Sequence, residues 1–263
     1  MAKPKLGASS TGSSNPSTDA KFGARASSGV AAQRSLEKPF AIVLAGHNGS
    51  GKSTMWYRHL VQHLRVPLIN ADRMMMSILP ELTLEQSSLP DWARQLRDTD
   101  ENWMRVAQSG VQAFVAHAMA ASVPFAMETV FSHWKEHADC RVESKIDLIR
   151  DLQASNYFVL LIFVGLSNSA LSIARVSTRV AQGGHAVDTE RLLQRFSRTQ
   201  KAVHAATKVA DATILADNSQ GIEQAFSVCR IQLADQEIYD CRRDSPGPPA
   251  AVLQWLEIVS PPD

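Results

Sequence analysis

Residues 46–54 read Gly46-His47-Asn48-Gly49-Ser50-Gly51-Lys52-Ser53-Thr54. Glycine, four residues, then Gly-Lys-Ser is the spacing of a Walker A loop. Glycines at these places let successive backbone N–H groups turn inward on phosphate oxygens. Lys52 would reach the β- and γ-phosphates, and the Ser53 hydroxyl can ligate Mg²⁺. All nine residues, Gly46 to Thr54, are therefore candidate nucleotide contacts, and ATP with Mg²⁺ is the implied ligand. The flanks agree. Phe40-Ala41-Ile42-Val43-Leu44-Ala45 is an unbroken apolar run, the pattern of a parallel strand buried on both faces. Residues 53–64 read as a helix whose N-terminal dipole would face the phosphates.

Outward from this loop the chain alternates apolar runs with helical patterns. Strands are expected over 40–45, 67–70, 124–128, 158–164 and 213–216. Helices are expected over 53–64, 102–122, 139–154, 169–181 and 189–208. This alternation predicts an α/β fold of the P-loop NTPase and kinase type, a three-layer sandwich around a mainly parallel sheet. Such sheets bind ligands at the carboxyl ends of their strands. The loops after Ala45, Asn70, Glu128 and Val164 should therefore meet at one site. Residues 80–100 read as an irregular insertion. Beyond Ser219 the pattern is hard to read, apart from a turn at 245–249 and a short closing helix over 250–258.

The 263 residues suffice for one sizeable domain, 39–263, behind a tail, 1–38. A hydrophobic share of 44% supports a real core. The net charge of +1 disfavours long nucleic acids and charged membrane surfaces as partners. No run approaches the ~18 apolar residues of a membrane span. Cys140, Cys229 and Cys241 are odd in number and lack Cys-x-x-Cys spacing, so they read as reduced thiols of a cytoplasmic protein. The tail carries six Lys/Arg against Asp19 and Glu37 and is rich in Ser, Gly and Ala. That composition predicts disorder. It fits a flexible linker, an organelle transit segment, or a signal for secretion into a host cell.

Asp72 follows the second strand. Phosphoryl transfer to an alcohol needs a carboxylate to orient the hydroxyl and take its proton, and Asp72 is placed for that; otherwise it caps the next helix. Glu128 and Thr129 end the third strand, where a substrate or the metal would be met; the plain alternative is a structural ion pair. His133 reads as a surface or helix-start residue and only secondarily as a site group. Arg175 and Arg179 lie four apart on one helical face. Gly183-Gly184 then interrupts the helix, and the next one carries Arg191, Arg195 and Arg198. This pattern predicts a helical, arginine-bearing lid that stabilises charge on a transferring phosphoryl group, against the alternative of a solvated basic face. No transporter-type Leu-Ser-Gly-Gly-Gln signature is present. Thr213-Ile-Leu-Ala-Asp217 resembles a Walker B strand only weakly, so Asp217 is not taken as a metal ligand.

Gly46–Thr54, Ile69-Asn70-Ala71-Asp72, Glu128-Thr129-Val130-Phe131-Ser132-His133, Ala174-Arg175-Val176, Arg179 through His185, Arg195-Phe196, Ala210-Asp211 and Asp217-Asn218-Ser219 occur in an order that resembles the zeta toxin family of P-loop kinases. The resemblance spans about 40–219 and is nearest to a shorter branch often labelled predicted ABC-type ATPases. It implies a kinase that uses ATP and Mg²⁺. Zeta toxins proper phosphorylate the 3′-hydroxyl of the sugar in UDP-N-acetylglucosamine, and an epsilon antitoxin holds their ATP site closed. Carried over by motif, Lys52 and Ser53 bind phosphate and metal, Asp72 becomes the base, and Glu128 and Thr129 become substrate contacts. Arg179 and Arg195 become the lid arginines, with Arg175 and Arg198 in reserve. The Gly183-Gly184-His185 element departs from the lid of the sugar-nucleotide kinases. The expected function is thus a small-molecule kinase with a hydroxyl-bearing acceptor. The alternatives are a kinase of another nucleotide, a dinucleotide cofactor or a nucleic-acid end, and an ATP-binding regulatory module.

Overall fold

The structure, a computed structural model, describes residues 38–81, 88–181 and 187–262. Residues 1–37 of the expected tail, and Gly183, Gly184 and His185 of the expected lid hinge, lie outside these.

Strand β1 (Phe40–Gly46) is apolar throughout because it has no exposed side. It pairs in parallel with β3 (Phe125–Thr129) on one edge and β6 (Phe158–Gly165) on the other. Strand β2 (Leu68–Ile69) extends the sheet beyond β3, and β7 (Ala212–Asp217) extends it beyond β6, both in parallel. Antiparallel β8 (Ser227–Leu233) and β9 (Gln236–Asp240) complete the order β2-β3-β1-β6-β7-β8-β9.

Side chains alternate across the pleat, and so build two cores. Ala41, Val43 and Ala45 join Phe125, Met127, Val159, Leu161 and Phe163 on one face. Ile42 and Leu44 join Ala126, Leu160, Ile162, Val164, Ile214 and Ala216 on the other. The second face is covered by α1, which runs through Lys52–Met55, a π-helical stretch Trp56–Leu60 and Val61–Leu64, and buries Met55, Trp56, Leu60 and Leu64. Next in the chain come α2 (Ala71–Ser77), α3 (Asp91–Thr99) and α4 (Glu101–Ala120). Then follow α5 (Ile146–Ala154), α6 (Ser169–Ala181), α7 (Thr189–Thr207) and α8 (Ala250–Val259). Helices α4, α5, α7 and α8 cover the first face with Val115, Ile149, Val203 and Trp255 among others. Helices on both faces of a mostly parallel sheet make the expected three layers.

Three expectations are corrected. The helix expected over 139–154 begins only at Ile146; residues before it form a small hairpin, β4 (Trp134–Glu136) against β5 (Val142–Ser144). The chain turns there because Ser144 Oγ accepts the Ile146 N–H and Asp147 accepts the Ser144 N–H. The segment 80–100 is not wholly irregular: α3 buries Ala93 with Leu79 and Leu89 in a satellite cluster. The residues past Ser219 supply the antiparallel edge of the sheet. Among the described residues, no helix is long and apolar enough to cross a membrane.

Candidate active site

The Walker loop emerges from β1 into a space that permits no side chain at two of its glycines. A Cβ on Gly46 would lie 2.7 Å from the Val164 carbonyl oxygen. Gly51 has φ 88°, and a Cβ there would lie 2.7 Å from Asn218 Nδ2. The loop is tied from outside as well. Asn218 Nδ2 donates to Ser50 O at 2.8 Å, and Ser172 Oγ of α6 donates to Asn48 O at 2.7 Å. Neither tie is visible in the local sequence, although Asn218 belongs to one of the family-like pieces.

Lys52 is buried, and its ammonium donates to Gly46 O at 3.2 Å and His47 O at 3.1 Å. Burial pulls its pKa down, and Arg179 adds to that pull; the charges of Glu128 and Asp72 oppose it. Glu128 Oε1 is 3.9 Å from Lys52 Nζ. The register of β1 and β3 sets Glu128 beside Leu44, just below the loop. Its Oε2 accepts hydrogen bonds from Ser53 Oγ at 2.8 Å and Asn70 Nδ2 at 2.7 Å.

Asn70 explains why Asp72 is not the helix cap. Its Oδ1 accepts the Arg73 N–H at 3.1 Å and starts α2, which places Asp72 in the first turn. From there its charge acts on Lys52 and on Arg195. Asn70 belongs to a family-like piece of the sequence that assigns it no role; its one amide both caps α2 and holds Glu128.

Thr129 Oγ1 accepts the Phe131 N–H at 3.4 Å in a tight turn, with Phe131 buried at φ 64°. Helix α7 is fastened to that turn by Thr199 Oγ1, which donates to Val130 O at 3.3 Å. The arginines divide. Arg179 acts on Lys52, and Arg195 on α7 is drawn toward Asp72. Burial pulls the Arg195 guanidinium below its ordinary range, and neighbouring Arg191 deepens the shift. Arg175, also lowered by burial, interacts with Asp217 instead. Arg198 is exposed. His133 directly precedes β4, 2.9 Å from Glu143 of β5, which also meets His137 at 3.2 Å. This is a surface cluster, matching the plainer reading of His133.

His47 contributes to the loop through its backbone alone. Its ring is buried, stacked on Phe196 of α7 with centroids 3.9 Å apart and edge-on to Phe163 at 5.4 Å. Burial keeps it neutral, with a pKa lowered to about 3.

Ser53 Oγ and the Glu128 carboxylate form an adjacent pair of hard oxygen donors beside the phosphate loop. Mg²⁺ binds through one or two protein oxygens plus phosphates and waters, so this pair fits it. Among the described residues no group of three His, Cys, Asp or Glu could hold a metal by itself.

The zeta toxin family model matches residues 25–227. The chain is similar in fold to the AvrRxo1-ORF1:AvrRxo1-ORF2 complex with ATP, at 12% identity over 93% of this chain and 72% of that one, with a TM-score of 0.54. The same pair with sulphate ions gives 11% identity, coverage of 93% and 72%, and a TM-score of 0.52. A structure of the PezAT chromosomal toxin-antitoxin system of Streptococcus pneumoniae gives 14% identity, coverage of 95% and 89%, and a TM-score of 0.48. No curated protein matches the chain.

Proposed function

The chain belongs to the zeta toxin family and is an ATP-dependent kinase, and from that premise we propose that it phosphorylates a hydroxyl of a small-molecule acceptor, a sugar nucleotide such as UDP-N-acetylglucosamine being the acceptor to test first. The reading rests chiefly on one observation: Lys52, Ser53, Asp72 and Glu128 converge at the carboxyl ends of β1, β2 and β3.

In this reading the backbone N–H groups of 46–54 cradle the phosphates, and Lys52 balances charge on the β- and γ-phosphoryl groups. Asp72 accepts the proton of the acceptor hydroxyl as its oxygen bonds to the γ-phosphorus. The bond to the β–γ bridging oxygen breaks, and ADP departs with that electron pair. Arg179 and Arg195 offset charge on the transferring group. Mg²⁺, when bound, would neutralise charge between the β- and γ-phosphates. Ser53 Oγ would hold it, with the Glu128 carboxylate orienting that hydroxyl. Glu128 therefore serves the metal side, and Thr129 is the nearer candidate for acceptor contact. The catalytic unit is 39–263, with 1–38 as an appended tail. An antitoxin that covers the nucleotide site is the protein partner that the family suggests.

The test is product identification. Protein, ATP and MgCl₂ are incubated with UDP-N-acetylglucosamine, or with a metabolite extract, and products are read by mass spectrometry. A phosphorylated sugar nucleotide is expected. Asp72→Asn should retain ATP binding and lose about 10²–10⁴-fold in transfer, the usual worth of a general base. A product with another nucleotide or a dinucleotide would replace the acceptor and keep the kinase. Transfer by Asp72→Asn within about threefold of wild type would remove Asp72 from the base role.

A further inference from the structure

We propose that His47 is a positioning residue: its ring, stacked on Phe196, locks α7 onto the nucleotide loop and thereby sets Arg195. The function assigned to Arg195 rests on the kinase reading; the stack itself does not.

The second residue of a phosphate loop has little reason to bury a side chain unless the side chain does something away from the phosphate. His47 is 1% exposed, and neither ring nitrogen makes a well-formed hydrogen bond, with only a weak backbone contact to Phe196 beside it. The site therefore uses chiefly the flat ring. The planes of His47 and Phe196 are 10° from parallel with centroids 3.9 Å apart, while Phe163 of β6 meets the imidazole edge-on at 70°. The ring is thus wedged between the sheet and α7. Arg195 directly precedes Phe196. With Leu192 and Thr199 it lines the same crevice as His47 and Asn48, which is too narrow for a water molecule.

A second anchor lies one turn further along α7. Thr199 Oγ1 lies 2.7 Å from Arg195 O, and it also reaches Val130 O after β3. Arg195 lies directly before the first anchor and one turn before the second. On the other arginine helix, Ser172 ties α6 to Asn48. Both helices are in this way referenced to the loop that carries the phosphates. Because the imidazole is neutral through burial, it adds no repulsion among Lys52, Arg191 and Arg195. Catalysis by a charged group depends steeply on its placement, and an error of ~1 Å is worth about a hundredfold.

The test compares His47→Ala, His47→Phe, Phe196→Leu and Arg195→Ala, with kcat and KM for ATP, melting temperature, and hydrogen exchange of amides 189–199. His47→Ala should lower kcat about 30-fold and change KM for ATP less than about threefold. His47→Phe should restore kcat to within about threefold, since a phenyl ring stacks as well. In the Arg195→Ala background, His47→Ala should lower kcat by no more than about a further threefold. Exchange across 189–199 should quicken in His47→Ala and not in His47→Phe, whether or not an acceptor has been found. If His47→Ala does not fold, Phe196→Leu opens the same stack from the other side and is held to the same outcomes. Unchanged exchange of α7 in the opened-stack variant overturns the proposal. So does an equal loss of kcat with and without Arg195, or a His47→Phe variant as impaired as His47→Ala.

Discussion

Two residues of the nucleotide loop show how burial sets charge state within a few ångströms. Burial pulls the pKa of Lys52 down, and the charges of Glu128 and Asp72 oppose that pull while its Nζ donates to the carbonyls of Gly46 and His47. At His47 only a backbone group of Phe196 opposes burial and the nearby Lys52 charge, and the ring remains neutral with a pKa lowered from 6.5 to about 3. The second case predicts a pH dependence of stability. The unfolded chain binds a proton at His47 as pH falls through about 6.5, while the folded chain does so only near 3. The depressed folded value therefore contributes stability that is complete above 6.5 and is lost as pH falls toward 3. Each pH unit in that window is worth ~1.4 kcal/mol from this group. Chemical denaturation of wild type and His47→Phe at pH 7.5, 6 and 5 isolates the effect. Wild type should weaken against the variant by about 1–2 kcal/mol between pH 6 and 5. Parallel curves would mean that His47 titrates in the folded protein as it does in the unfolded one.

At the scale of elements, the arginine-bearing helices are the part of the site whose role is most open to measurement. Arg179→Ala and Arg195→Ala should each lower kcat by about 10²-fold or more and alter ATP affinity less than about threefold, if they act on charge that develops during transfer. A change confined to ATP binding would return them to ground-state contacts. The five parallel strands were legible to within two residues, because strands buried on both faces are written as unbroken apolar runs. The hairpin at 134–144 and strands β8 and β9 were not. Their residues are mostly half-buried or exposed, so their pattern is diluted by polar side chains. The π-helical stretch Trp56–Leu60 left no trace either, because one altered hydrogen-bond turn hardly disturbs the spacing of apolar residues. In the site, Lys52 and Asp72 could be read because each follows a strand into a shared loop cluster, and Glu128 because it ends a strand there. Asn70, Ser172 and Asn218 could not. Their partners Glu128, Asn48 and Ser50 stand 58, 124 and 168 residues away, and a lone polar residue carries no period that points there.

Across the whole molecule, the physical unit is longer than the family match, which ends at residue 227. Strands β8 and β9 extend the sheet past β7, and α8 closes the core face that α7 leaves open. Trp255 is the link back to the site. It meets Phe163 edge-on at 5.7 Å, and its Nε1 donates to Asp217 Oδ1 at 3.0 Å. It also packs so close to Gly165 that a Cβ there would lie 2.9 Å from its ring. Asp217 in turn accepts from Ser219 N and Oγ, at 2.9 and 2.7 Å, and frames Asn218, which holds Ser50 of the loop. Val252, Trp255, Leu256 and Val259 are all buried. At ~1.5–3 kcal/mol for each such side chain, α8 contributes on the order of 8 kcal/mol before the entropy of ordering it is subtracted. That is comparable to the ~5–15 kcal/mol net stability of a whole domain. A chain ending at Phe226 should therefore fail to fold, with no cooperative melt by circular dichroism and no ATP binding. Trp255→Phe, which retains most of the packing but not the bond to Asp217, should fold with a melting temperature lower by several degrees and should bind ATP more weakly as Asn218 loosens. A cooperative melt and full ATP affinity in the shortened chain would show that the nucleotide loop is held without this C-terminal layer.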